Sequence, residues 1–353
     1  MKKLLIAVFA AFMVVAFAIP AIAGTWNFYG SARMQTWSTK LSEEQTGTSY
    51  DDRDTTWDLQ GNSRIGANVK AGDISGRFEY GVTQTEAGKD AARVRLLYGV
   101  WNFGSGSLLV GKTYTPVNFF YSNQVYGEDA NMLNVGGVYG GRNPAIQVSV
   151  QGFKLALVKP TVSAGSITST DTDTTIPKIE ASYSFKAGPA AIALCGGYNT
   201  FKLVDSTDHE ESLDSYVVAL GLSFAVGPGY VKGDVFTGKN VGNYGLFIEG
   251  SHKATGTMTD IQDVKTVGAL GVVGFKVNDM LTLEAGYGYT SADSDDSSLE
   301  DDKTQAYYVQ AVISPAKGVY IIPEIGKYDY KDDINGNDEG TETYFGAKWQ
   351  INF

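Results

Sequence analysis

From residue 57 to residue 70 the chain changes character at almost every position. Trp57, Leu59, Ile65, Ala67 and Val69 fall on one parity, and Asp58, Gln60, Asn62, Arg64, Asn68 and Lys70 fall on the other. An extended strand sends successive side chains to opposite faces, so the segment is predicted to be a strand with one apolar and one strongly polar face. The same period runs through residues 178–186, 281–290 and 344–353. Sixteen such segments can be placed, at about 25–37, 55–70, 75–85, 93–103, 107–114, 144–151, 153–163, 177–186, 190–202, 214–225, 229–238, 264–276, 280–290, 303–313, 318–328 and 341–353. Short and long connections alternate between them. The eight long ones, about 38–54, 86–92, 115–143, 164–176, 203–213, 239–263, 291–302 and 329–340, all fall at one end of the sheet.

A soluble β-sandwich also alternates, but its strands are shorter and its polar positions face bulk water. Here the polar parity is dense in Arg, Lys, Glu, Asn and Gln, and the apolar parity carries aromatics near strand ends, such as Trp57, Tyr289 and Phe353. Long strands, short turns on one rim and long loops on the other predict an all-β fold, a transmembrane antiparallel β-barrel of the bacterial outer membrane. A bilayer demands closure, because an open edge would leave backbone groups unpaired in hydrocarbon. With sixteen strands, the polar parity lines a lumen wide enough for water. Three places break the pattern: Pro323 inside a predicted strand, the phase of residues 153–159, and residues 237–263.

Composition alone would suggest something else. The 353 residues have a mean hydropathy of −0.12, a formal charge of −11 and 42 Gly. A soluble acidic protein would look the same, yet this hydropathy is the average of a lipid-facing and a water-facing parity. The acidic balance argues against a nucleic-acid binder, which needs a basic face to displace counterions. Cys195 is the only cysteine, so there is no intrachain disulfide and no multi-cysteine metal cluster. Lys2 and Lys3, the apolar run 4–19 and Ala21-Ile22-Ala23 predict a cleaved secretory signal peptide over 1–23, leaving 24–353 as a single barrel domain with a formal charge of −13. Past residue 23 no stretch reaches the roughly 18 to 20 apolar residues of a spanning helix.

Three local motifs carry a family likeness. The last strand ends in Phe353 with Ile351, Trp349 and Phe345 behind it. Asn62-Ser63-Arg64-Ile65-Gly66-Ala67 forms a second-strand motif, and Arg95-Leu96-Leu97-Tyr98-Gly99-Val100-Trp101 is followed by a turn and residues 106–114. With these motifs the sequence resembles the general bacterial outer-membrane porins, trimeric sixteen-stranded channels for passive diffusion of small hydrophilic solutes and ions. As a pattern the likeness covers essentially the whole mature chain. It implies an outer-membrane protein that binds no cofactor, contacts lipid and lipopolysaccharide, assembles as a homotrimer, and is read by the barrel-assembly machinery through the strand ending at Phe353. It also implies that the third long connection, 115–143, folds into the lumen. There Glu128 and Asp129 would face basic side chains on the wall at Arg64, Arg95 and Arg142, with Arg33, Arg93 and Lys112 as further wall candidates. The family's Pro-Glu-Phe-Gly-Gly loop motif is absent, whereas Gly136-Gly137 and Gly140-Gly141 supply the freedom for a sharp return.

Each basic residue also has a plainer reading, as a lumen side chain paired with a neighbouring acid, such as Arg77 with Glu79. The rings of Tyr114, Phe119, Phe120, Tyr121, Tyr126 and Tyr139 could form a track for sugars or another flat solute, or could pack the loop against the wall. Residues 293–302 hold six carboxylates, and residues 329–340 hold five. Asp333-Ile334-Asn335-Gly336-Asn337 begins like a calcium loop, but Asp338 stands where Gly is needed and Tyr344 where Glu is needed. These loops are expected to be solvated surface with at most weak cation binding and no metal centre. His209 and His252 fall in predicted loops, and Ser251 beside His252 is the one hint of a hydrolase. A triad needs a rigidly held base, and there is no phosphate loop or HExxH motif. The expectation is a channel and not an enzyme, with a channel dedicated to a sugar or organic anion as the alternative.

Overall fold

In the computed structural model the described residues are 24–47, 53–85 and 89–353; the leader read over 1–23 lies outside them. The strands are β1 (Thr25–Leu41), β2 (Asp54–Leu59 and Arg64–Ala71), β3 (Ile74–Thr85), β4 (Lys89–Asn102), β5 (Ser107–Tyr114), β6 (Arg142–Val150), β7 (Phe153–Val158) and β8 (Asp171–Asp173 and Lys178–Ala187). They continue as β9 (Ala190–Val204), β10 (Glu210–Val226), β11 (Gly229–Lys239), β12 (Val264–Asn278), β13 (Leu281–Ser294), β14 (Asp302–Ala316), β15 (Val319–Asp329) and β16 (Thr341–Asn352). Each pairs antiparallel with the next. β16 pairs back onto β1 from Ser31↔Asn352 to Leu41↔Glu342, so the sheet closes into a sixteen-stranded barrel. At the seam Gly30 donates its N–H to Phe353 O at 2.7 Å and accepts Phe353 N–H at 3.1 Å, so the terminal residue seals the last rung.

The period of two separates inside from outside. On β10, Tyr216, Val218, Leu220, Leu222 and Phe224 face outward and are exposed, while Val217 and Ala219 are buried. On β13, Leu283 and Tyr287 are exposed while Glu284 and Thr290 are buried. Trp26, Phe28, Trp101, Phe103 and Phe353 lie at the rim of short turns, and Trp57, Tyr307 and Phe345 nearer the rim of long loops. An apolar belt of this extent, edged by aromatics, requires a lipid covering.

The irregular places resolve physically. Pro323 lacks an N–H, and the β14·β15 ladder breaks there, stepping from Gln310↔Glu324 to Ile313↔Ile321. β7 keeps one phase but ends at Val158, five residues short of the expected 163. After β11, residues 240–253 turn inward and bury Val241, Tyr244 and Leu246, and a small hairpin of Thr255–Thr257 and Asp260–Gln262 follows. Among the described residues, the connections 115–141 and 240–253 both enter the lumen. They are stitched together by Phe247 N–H to Tyr139 O and Glu249 N–H to Asn134 O, both at 2.9 Å.

Candidate functional site

Three inward carboxylates position the longer of these connections. Glu180 on β8 accepts Val117 N–H at 3.0 Å, and Glu284 on β13 accepts Asn123 N–H at 2.9 Å. Glu324 on β15 accepts Val125 N–H at 2.7 Å and Tyr126 N–H at 3.1 Å. Buried amides need partners, and each carboxylate supplies strong, charge-assisted ones. Beyond Tyr126 the backbone turns left-handed: Gly127, Glu128, Asp129, Asn131 and Met132 have φ between 54° and 62°. For non-glycine residues that conformation costs roughly 1–2 kcal/mol each. The side chains offset it, since Glu128 accepts Gly61 N–H at 2.9 Å and Asp129 sits between Arg33 and Lys348, with Lys348 Nζ at 2.7 Å. Farther on, Gly136 passes so close to β12 that an added Cβ would lie 2.1 Å from Ala269 O.

A second cluster lies on β2, β3 and β4. The β3·β4 ladder steps from Glu79↔Leu96 to Tyr80↔Val94, so Arg95 is the extra residue of a bulge. Bulges re-aim side chains, and this one keeps Arg95 inward although Leu97, two residues on, faces lipid. Glu79 is almost fully buried. It accepts Arg95 Nε–H at 2.8 Å, an Arg77 guanidinium N–H at 2.9 Å and Tyr29 O–H at 2.9 Å, with Arg64 at 3.6 Å. Arg95 also donates to Asn62 Oδ1 at 2.5 Å.

The two clusters border one cavity of about 790 Å³. Arg33, Arg64, Arg93, Arg95, Arg142 and Lys348 line it against the carboxylates of Glu128 and Asp129. Seven of the eight expected charged positions thus converge. The eighth, Lys112, is not in the lining, and its ammonium donates to Val94 O at 3.0 Å. The plain pairing of Arg77 with Glu79 is present, but the same acid also holds Arg95, a role sequence reasoning missed. Lys348, the three anchoring carboxylates and Phe247 were missed too. Lys348, Glu180, Glu284 and Glu324 all sit on the polar parity of their strands, which is the signal that marks them as inward.

The aromatic residues of the long connection divide. Phe119, Tyr121 and Tyr126 pack into the interior, and Tyr126 stacks on Tyr344 at 3.7 Å. Tyr114, Phe120 and Tyr139 border the cavity. At the loop rim, buried His252 places Nδ1 3.0 Å from Thr266 Oγ1 and Nε2 2.6 Å from Glu249 O; burial pushes its pKa down although Asp302 and the Glu249 carbonyl act the other way. Both ring nitrogens are engaged, and the contact of Ser251 is its backbone N–H to Asp302 at 2.7 Å. Asp333 turns its carboxylate onto the amides of Asn335 and Asn337, and among the described residues no group of three or more acids, His or Cys is placed to hold a metal.

No protein-family model and no curated relative matches the chain. Solved structures do. The outer membrane channel DcaP of Acinetobacter baumannii superposes with a TM-score of 0.75 at 16% identity, covering 94% of this chain and 98% of that one. OmpF of Salmonella typhi gives 0.65 at 13% identity, covering 94% and 99%. The anion-selective porin from Comamonas acidovorans gives 0.62 at 14% identity, covering 94% and 100%. At these identities the likeness is one of fold: the chain carries the sixteen-stranded closed barrel of the Gram-negative outer-membrane porins.

Proposed function

We propose that the protein is an outer-membrane channel for the passive diffusion of small hydrophilic solutes and ions. The observation that carries this reading is a closed barrel with an apolar outer belt around a cavity lined by charged side chains. Such a wall selects solutes by charge and size and has no need of a reaction. In this reading residues 1–23 are an export signal, 24–353 form the barrel, and Phe353 closes the terminal strand that the assembly machinery engages. Arg33, Arg64, Arg95, Arg142, Glu128 and Asp129 set the constriction, Lys112 acts from its edge, and the working unit is a homotrimer in lipid and lipopolysaccharide. No catalytic role is assigned, because His252 is fixed by its own loop and the β12 rim instead of being aimed at a nucleophile.

The test is conductance. Protein purified in detergent and inserted into a planar bilayer in potassium chloride is expected to open in stable steps grouped in threes. A folded, inserted barrel that passes no current would overturn the reading.

A further inference from the structure

The cavity has a ring-lined side. Tyr114 and Phe120 meet edge to face at 5.1 Å, Tyr139 lies 6.0 Å from Phe120 and 6.3 Å from Tyr114, and Phe247 of the second inward connection joins at 6.2 Å from Tyr139. Phe120 and Phe247 remain 47% and 49% exposed although they point into the barrel and not into lipid. Rings whose purpose was packing would be buried, as Phe119 is at 7%. Two half-bare phenyl groups facing one aqueous space are a patch in search of a flat apolar partner.

The neighbouring charges decide what that partner carries. The Arg142 guanidinium lies 5.5 Å over the Tyr114 ring, and Arg93, Arg95 and Arg142 are all within electrostatic reach of the Tyr139 hydroxyl. Arg95 is neutralised by Glu79, but among the described residues neither Arg93 nor Arg142 is ion-paired to a carboxylate. Glu128, the acid that acts on Arg93, already accepts the Gly61 N–H. A neutral sugar carries no charge to answer these two guanidinium groups, whereas a carboxylate matches a guanidinium two N–H groups at a time.

We infer that the cavity holds a binding site for a planar aromatic carboxylate, its ring on Tyr114, Phe120, Tyr139 and Phe247 and its carboxylate on Arg93 and Arg142. This deepens the channel reading and rests on it. The second inward connection then acts as a specificity element, because Phe247 completes the ring face.

The test uses the full chain in a planar bilayer in potassium chloride with benzoate as probe. Benzoate is expected to reduce the current saturably. Cyclohexanecarboxylate, which has the charge without the flat ring, and benzyl alcohol, which has the ring without the charge, are expected to block about tenfold more weakly. The Phe120→Leu, Phe247→Leu double variant keeps apolar bulk and is expected to conduct potassium chloride normally while losing the preference for benzoate. Arg142→Gln is expected to weaken benzoate block with little change for benzyl alcohol. Equal block by benzoate and cyclohexanecarboxylate, or unchanged preference in the double variant, would overturn the site and leave the channel standing. Absence of any potassium chloride current would instead overturn the channel reading itself.

Discussion

Replacing Glu79 by Gln removes the acid shared by Arg64, Arg77 and Arg95, and it acts on stability and on ion preference by separate routes. The stability effect comes mainly from Arg95, whose side chain is 3% exposed and whose Nε lies 2.8 Å from the carboxylate. Removing one partner of a buried ion pair costs about 3–5 kcal/mol. Arg77, with 34% of its side chain exposed, adds little because water screens it. The amide oxygen of Gln still accepts one of the hydrogen bonds, which places the loss near the lower end, about 3 kcal/mol. The electrostatic effect follows from the charge removed. Over roughly 8 Å of water a unit charge is worth about 0.5 kcal/mol, and ~0.1 M salt halves it. The anion-to-cation permeability ratio is therefore expected to rise about twofold. Urea unfolding of the detergent-folded protein, followed by tryptophan fluorescence, reads the first effect, and the reversal potential across a potassium chloride gradient reads the second. An unchanged unfolding midpoint would refute the role of Glu79 as the anchor of Arg95. A shift of the reversal potential toward cations would refute the assignment of this cluster to the conducting lumen.

Other expectations follow from the same geometry. Arg64→Ala combined with Arg95→Ala removes two cationic groups from the cavity wall, so the channel should widen and its preference should move toward cations, with an unchanged reversal potential counting against it. Gly136 has φ 81°, and an added Cβ would meet the Ala269 carbonyl, so Gly136→Ala is expected to lose about 2 kcal/mol or more in urea unfolding and to make the open-channel current noisier as the long connection lifts from β12. Burial holds the pKa of His252 below its ordinary 6.5, so the stability it contributes is present above that value and is lost as pH falls through the lowered value. Unfolding midpoints measured at pH 7.5 and pH 5 should therefore differ more in the native chain than in His252→Gln, and equal differences would refute the assignment.

What the sequence made legible and what it hid divide along one physical line. The strands were readable because lipid on one side and water on the other impose a contrast at every second residue, which is a local signal. The bulge at Arg95 was not readable, since it is defined by which residue of β3 each residue of β4 faces. For the same reason Asp129 was legible as a loop acid facing wall cations, with Arg33 among the candidates, but not as an acid held between Arg33 and Lys348. Those two residues are more than 300 positions apart and become neighbours only when β16 registers against β1. The second inward connection carried a local signal that the alternation test discards: Val241, Tyr244 and Leu246 are apolar residues within a segment read only as a long connection that breaks the pattern. Apolar residues in a connection with no period are evidence that the connection is covered.

Net charge follows the same division. The formal −11 counts acids such as the six in residues 293–302, at the long-loop end, together with cations in the barrel interior. Within the cavity the balance reverses, with six cationic side chains against two carboxylates. Salt screens charge over about 10 Å at 0.1 M, so a permeating ion responds to the wall beside it more than to the whole molecule. An acidic protein can therefore present a basic passage, and the sign that matters for transport is set by strand register, because register determines which of the inward cations meet an acid and which, like Arg93 and Arg142, stay available to the solute.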